Sequence, residues 1–273
     1  SWTMRFHRLA LAAILLAFDA QAAPREIEVA FEARNLQRST SWDRLYIEGP
    51  KLRLTGRFAV PEGSGPFPAV VHLHSCEPVP SRDDAWVERF TSWGLPVLRL
   101  DSLSPRGKTS TCNSPGDLPS FDRAADAYSA KEWLSQRSEI DSNQIVLAGW
   151  SHGGAAVLAA LGSPPTAFGA PKGTKPFVAG IAFYPDCVSP NEVQAPILIL
   201  IVEADTYSPV SLCRQMEEHP RIRLVMYAGA DQGFDIPGAD YLMLGKRIRH
   251  SRQAEEASVS AVKSLIGGLG LAR

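Results

Sequence analysis

Ile145-Val146-Leu147-Ala148-Gly149-Trp150-Ser151-His152-Gly153-Gly154-Ala155-Ala156 is the stretch whose reading decides the fold. Ile145 to Ala148 form the short apolar run that a strand buried on both faces needs. Gly149-Trp150-Ser151-His152-Gly153 then matches G-x-S-x-G. Ala155, Ala156, Leu158 and Ala159 open a small-residue helix. The spacing has a steric cause. A strand that bends sharply into a helix leaves its central residue in strained backbone geometry, and glycines two positions to either side let neighbouring segments pass close. The Ser151 hydroxyl is therefore expected at the top of a sheet. The backbone N–H of His152, at the start of the helix, is expected to face any oxyanion formed there. A chance pentapeptide would lack the strand before it and the helix after it.

The chain has 273 residues, 45% of them hydrophobic, which suits one large α/β domain or two small ones. No break in composition marks a second domain. A net charge of −1 gives no basic footprint for nucleic acid. From Met4 the sequence runs through a basic start (Arg5, His7, Arg8), an apolar run from Leu9 to Phe18, and Ala20-Gln21-Ala22. This is the plan of a secretory signal peptide, with an apolar run too short to span a bilayer. Residues 1–22 are thus read as upstream residues and signal peptide, cut within a residue or two of Ala22. Residues 23–273 are read as a single domain. The protein is expected in the periplasm or secreted, with no stable membrane insertion after cleavage; an uncleaved anchor is the alternative.

Export to an oxidising compartment lets Cys76, Cys112, Cys187 and Cys213 pair. Four cysteines allow three connectivities, and sequence alone does not choose among them. Cys76–Cys112 with Cys187–Cys213 is favoured because each bond would tie neighbouring loops at the top edge of the sheet. Free buried thiols are the alternative. No C-x-x-C or H-x-x-x-H spacing is present, so neither a metal nor a cofactor is expected.

Strands are expected at Glu26 to Ala33, Lys51 to Val60, Pro68 to Leu73, Leu95 to Leu100, the run before Ser151, Val178 to Tyr184, Ile197 to Val202 and Ile222 to Tyr227. Helices are expected at Asp83 to Trp93, after a cap at Ser120, after Ser151, at Ser208 to Glu218 and at Ser251 to Ile266. Residues 103–119 and 163–175 are rich in Ser, Pro and Gly and read as loops. Asp141-Ser142-Asn143 reads as the turn into the Ser151 strand. Alternating strands and helices imply a mostly parallel central sheet with helices on both faces, the α/β class.

Ser151 alone is a weak nucleophile and needs a base within reach and an acid to orient that base. In α/β-hydrolases the order is Ser, then Asp or Glu, then His. Asp205 follows the apolar strand Ile197–Val202 and is the expected acid, with Glu203 as the runner-up. The loop after the strand Ile222–Tyr227 is where the histidine should lie, and the residue there is Gln232. An amide hydrogen-bonds but takes up no proton near neutral pH. His7 is in the leader. His72 and His74 lie upstream of Ser151, and the His152 side chain is expected to point away along its helix. His219 is expected as a solvated charge at a helix end, and His250 precedes the last helix.

These residues resemble the dienelactone hydrolase family of α/β-hydrolases, in particular its secreted, disulfide-bearing branch. The matching pieces are P-F-P-A-V-V-H-L-H-S-C (66–76), V-L-R-L-D-S-L-S-P-R-G (97–107), Cys112, A-G-W-S-H-G-G (148–154), A-F-Y-P-D-C (182–187), I-L-I-V-E-A-D-T-Y-S-P (199–209), Cys213 and M-Y-A-G-A-D-Q-G-F-D (226–235). The resemblance implies the α/β-hydrolase fold, with Ser151 as nucleophile, Asp205 as acid, and the Cys76 and His152 N–H groups as oxyanion hole. Arg106 would meet an anionic substrate, or else form a loop salt bridge. Two positions depart from the family pattern. His74-Ser75-Cys76 stands where the family has H-G-C, which sets a serine beside the oxyanion hole. Gln232-Gly233-Phe234 stands where it has H-G-F, so the catalytic histidine is missing.

The function implied is a carboxylic-ester or lactone hydrolase acting on a small molecule, its activity impaired by Gln232. The alternative is a catalytically inactive, exported small-molecule-binding protein with a hydrolase fold. Oligomeric state is left open.

Overall fold

The computed structural model describes residues 24–38, 46–205 and 210–272. The expected leader, 1–22, and the first residues of the expected helix at 208 lie outside the described residues. In chain order the elements are β1 (Arg25–Ala33), β2 (Leu36–Arg38), β3 (Tyr46–Glu48), β4 (Leu52–Val60), β5 (Phe67–Leu73), α1 (Pro80–Ser92), β6 (Val97–Asp101), α2 (Ser120–Ser135), β7 (Ile140–Trp150), α3 (His152–Leu161), β8 (Ala179–Phe183), β9 (Ile197–Val202), α4 (Val210–Met216), β10 (Ile222–Tyr227), β11 (Asp240–Met243), β12 (Lys246–Arg249) and α5 (Arg252–Gly268).

Eight strands form one sheet in the order β1-β4-β6-β5-β7-β8-β9-β10. β1 and β4 pair antiparallel at one edge, β4 pairs antiparallel with β6, and the remaining neighbours are parallel. β5, β8 and β9 are buried along their whole length, which explains why their sequences are almost unbroken apolar runs. Apolar side chains of α2, α3 and α4 pack on one face, and those of α1 and α5 on the other. Among the described residues no helix is long and apolar enough to cross a membrane. Both favoured disulfides, Cys76–Cys112 and Cys187–Cys213, are formed.

The structure departs from expectation at several places. β7 starts at Ile140, so Asp141-Ser142-Asn143 lies within the strand. The triplet does bend locally: the Asn143 N–H donates to Asp141 Oδ1 at 2.9 Å. The ladder absorbs that bend as a bulge, with Phe67 opposite Ile140 and Ala69 opposite Ile145. α1 begins three residues earlier than Asp83, because Pro80 fits a first turn and Asp83 Oδ2 accepts the Val79 N–H at 3.0 Å. Ser120 is the first residue of α2, and its side chain makes no cap bond. The β2–β3 pair and the β11–β12 hairpin were not expected.

Candidate active site

Ser151 stands between β7 and α3 with φ 51° and ψ −112°. A non-glycine residue held at positive φ stores of order 1–3 kcal/mol of strain, which the surrounding bonds must outweigh. The Ser151 N–H donates to the Phe183 carbonyl at 2.8 Å, and the Ser151 carbonyl accepts the Ala155 N–H at 2.9 Å. The flanking glycines are sterically required. A Cβ on Gly149 would lie 2.2 Å from the Gly153 carbonyl oxygen, and one on Gly153 would lie 2.4 Å from the carbonyl oxygens of Leu73 and His74. The G-x-S-x-G spacing thus records how closely the bend passes over itself and over the end of β5.

Ser151 opens onto a small cavity of about 30 Å³. Ser75, Cys76 and Glu77 form one wall, and Gln232 and Gly233 another. Tyr241, Met243 and Ile248 of the β11–β12 hairpin roof it. This roof was missed in the sequence because its alternation is short and mixed with charges. The signal was Gly245, which turns the hairpin at φ 75° between two four-residue runs.

Gln232 is buried, and its amide donates to the Tyr184 carbonyl at 3.4 Å. The loop that carries it is clamped by Asp235. Its Oδ2 accepts the indole N–H of Trp86 at 2.8 Å and that of Trp150 at 2.7 Å, and its Oδ1 accepts the Tyr184 hydroxyl at 2.7 Å. Trp150 precedes Ser151, so one buried carboxylate joins the Ser151 bend to the loop of Gln232. Asp205 follows β9, and Gln232 follows β10, the parallel neighbour of β9; the two residues therefore leave the sheet from adjacent strands at the same edge.

None of the described histidines lines the Ser151 cavity. His72 stacks on Trp150 with 4.4 Å between ring centroids and faces Asp83 at 3.4 Å. His74 is buried and bonds the Ser75 carbonyl through Nδ1 at 2.7 Å. Burial, with the Arg123 guanidinium nearby, holds its pKa well below the usual 6.5. The His152 ring faces Thr111, with Nδ1 at 3.4 Å from Oγ1, and burial followed by Arg123 brings its pKa down to about 4. His219 accepts the Arg221 N–H, and His250 pairs with Glu255.

Arg106 does not reach the cavity. It makes a two-pronged ion pair with the buried Asp126 at 2.8 and 2.9 Å and donates to the Ser102 carbonyl, tying loop 103–119 to α2. This is the loop salt bridge weighed against substrate binding from the sequence. The Ser75 hydroxyl donates to the Glu77 carbonyl at 2.6 Å. Cys76 lines the cavity, and its carbonyl accepts the Thr111 N–H at 2.9 Å. Among the described residues no group of three or more His, Cys, Asp or Glu gathers as a metal site.

The strand order, the strained serine on a strand-to-helix bend and the later loops converging on it decide the architecture. The chain has the α/β-hydrolase fold. A model of the prolyl oligopeptidase family matches residues 122–211, from α2 through the Ser151 bend to the start of α4. Solved structures similar to this chain include esterase 2 of Thermogutta terrifontis phosphorylated by paraoxon. That similarity has a TM-score of 0.63 and 19% identity, covering 88% of this chain and 95% of that one. A dienelactone hydrolase-like promiscuous phosphotriesterase from metagenomic libraries is similar with TM-score 0.61 and 19% identity, over 89% of this chain and 98% of that one. No curated sequence matches the chain.

Proposed function

We propose that the protein is a carboxylic-ester or lactone hydrolase of dienelactone hydrolase type, exported to the periplasm or beyond, with Ser151 as nucleophile. Ser151 Oγ attacks the carbonyl carbon as its proton passes to water, and the Cys76 and His152 N–H groups hold the oxygen that becomes negative. Collapse breaks the bond to the alcohol oxygen, or opens the lactone ring, that oxygen takes a proton from water, and a further water cleaves the acyl-serine to give the acid and restore the Ser151 hydroxyl. Asp205 is the acid of the set. Gln232 occupies the position of the base and takes no proton from Ser151, so turnover is slow. The observation that carries this reading is the strained Ser151 opening onto one cavity with Cys76 and Gln232. The esterase and phosphotriesterase described above support the substrate class: small esters of carboxylic and phosphoric acids.

Paraoxon tests it. Attack by Ser151 forms an Oγ–P bond and expels p-nitrophenolate, a leaving group that departs without a proton. A diethylphosphoryl mass increment on the peptide holding Ser151, absent in Ser151→Ala, is the expected result. Slow hydrolysis of p-nitrophenyl acetate, also abolished by Ser151→Ala, is expected beside it. One observation favours a second reading, a binding protein without turnover: Gln232 is buried and already engaged with the Tyr184 carbonyl. If neither the natural chain nor Gln232→His reacts with either compound while both remain folded, the hydrolase reading falls and the binding reading stands.

A further inference from the structure

Arg123 of α2 is fully buried, and the mechanism above gives it nothing to do. A buried guanidinium is costly unless its N–H groups are used. Arg123 spends two of them on consecutive carbonyls at the end of β5: Nη2 donates to His74 O at 2.7 Å and Nη1 to Ser75 O at 3.2 Å. Asp126, one turn along α2, is engaged by the two-pronged bond from Arg106. Among the described residues no carboxylate forms an ion pair with Arg123, and its Nε has no partner.

The Ser75 carbonyl and the Cys76 N–H belong to one peptide unit. In a planar trans peptide the two point in opposite directions. Pulling Ser75 O towards α2 therefore aims the Cys76 N–H away from α2, and Cys76 lies on the wall of the Ser151 cavity. The same carbonyl also accepts from His74 Nδ1 at 2.7 Å. Two donors on one carbonyl polarise the peptide and strengthen its N–H as a donor in turn. On its other side the Cys76 carbonyl is held by the Thr111 N–H and hydroxyl, at 2.9 and 3.2 Å.

We propose that Arg123 is the positioning residue of the oxyanion hole: from the far side of the β5 terminus it orients and polarises the peptide whose N–H, that of Cys76, receives the developing negative charge. The inference rests on the hydrolase reading for its consequence in rate, but not for its geometry. It also accounts for a charged residue in the buried stripe of α2, between Pro119 and the buried Ala124 and Ala127.

Two measurements on the full chain test it. The first is the amide spectrum of protein labelled with ¹⁵N-cysteine, which carries four signals. In Arg123→Met the Cys76 amide proton is expected to move upfield, because its peptide loses a donor at the carbonyl, while the Cys187 and Cys213 signals stay. Arg123→Lys keeps the charge but lacks the planar fork that reaches the two carbonyls from separate nitrogens, and is expected to move the same signal in the same direction by less. A Cys76 signal unmoved in both variants overturns the proposal, and Arg123→Lys alone decides if Arg123→Met does not fold. The second is the rate constant for phosphorylation of Ser151 by paraoxon. It is expected to fall about 10²-fold in Arg123→Met, the scale for loss of an oxyanion donor, with the half-saturating paraoxon concentration unchanged. Arg123→Lys should recover part of that rate. A variant that merely loses stability would lower the fraction of protein labelled and leave the rate constant alone, and that outcome counts against the proposal. Failure of both the natural chain and Gln232→His to react sinks the hydrolase reading, while the Cys76 signal still decides whether Arg123 holds the peptide.

Discussion

On one side of the cavity stand Ser151 and Cys76, fixed by tight glycines, by the disulfide to Cys112 and by buried hydrogen bonds from Arg123 and Thr111. On the other side stands the loop of Gln232, fixed by Asp235 through two indoles and a phenol. Both sides are held from behind by buried charge. They differ in what they present to the cavity: the first a hydroxyl and main chain, the second an amide that neither gives nor takes a proton. The contrast separates shaping a site from moving protons within it. The shortest side-chain bonds that shape the Gln232 loop come from Asp235, while the Gln232 amide adds one longer bond to the Tyr184 carbonyl, so the loop keeps its form with a glutamine at its tip.

The contrast can be broken most forcefully at Gln232. Gln232→His should raise kcat/KM on p-nitrophenyl acetate by about 10²–10⁴, the range for an added general base, with little change in thermal midpoint. A folded variant with no gain would show that this loop is not the seat of a base. Next comes the clamp. Asp235→Ala leaves two indole N–H groups and a phenol hydroxyl buried without their acceptor, at about 1–3 kcal/mol each before the structure relaxes. A loss near 3 kcal/mol or more by urea denaturation is expected, and a loss under 1 kcal/mol would remove Asp235 from the account.

A smaller effect sharpens the Ser151 side through pH. His152 is held neutral in the fold, with a pKa lowered to about 4, whereas an unfolded chain titrates it near 6.5. The unfolded chain therefore binds more protons between those values. The stability this gives is whole above pH 6.5 and is lost as pH falls towards 4. His74, lowered for the same reason, acts in the same direction. Between pH 7 and 4.5 the His152 contribution amounts to about 2 kcal/mol, and His152→Gln should flatten the fall in urea midpoint accordingly. The smallest effect is expected on the roof. Arg247 and Asp240 of the hairpin are both about half exposed, at 52% and 56%, so Arg247→Ala should cost no more than about 0.5 kcal/mol.

The sheet was legible because its central strands are buried on both faces and say so in unbroken apolar runs. The bend at Ser151 was legible because close passage forces glycine at 149 and 153. The supports were not. Arg123 and Asp235 are single charged residues whose partners lie far along the chain or in main-chain carbonyls, and no local spacing records such a bond. The bulge at 141–144 hid within β7 because Asp141 Oδ1 accepts the Asn143 N–H across a bend, and the ladder that stops at Ile140 resumes at Ile145. Arg106 read equally as a ligand or a tie, and only the burial of Asp126 distinguishes the two.

Cys76 serves the molecule twice, with its sulfur in a covalent cross-link and with its main chain on the wall of the cavity. A reducing agent in the assay buffer would cut the first and so loosen the second. Rates measured in dithiothreitol would belong to a slackened loop, and those measured without thiol to the cross-linked protein.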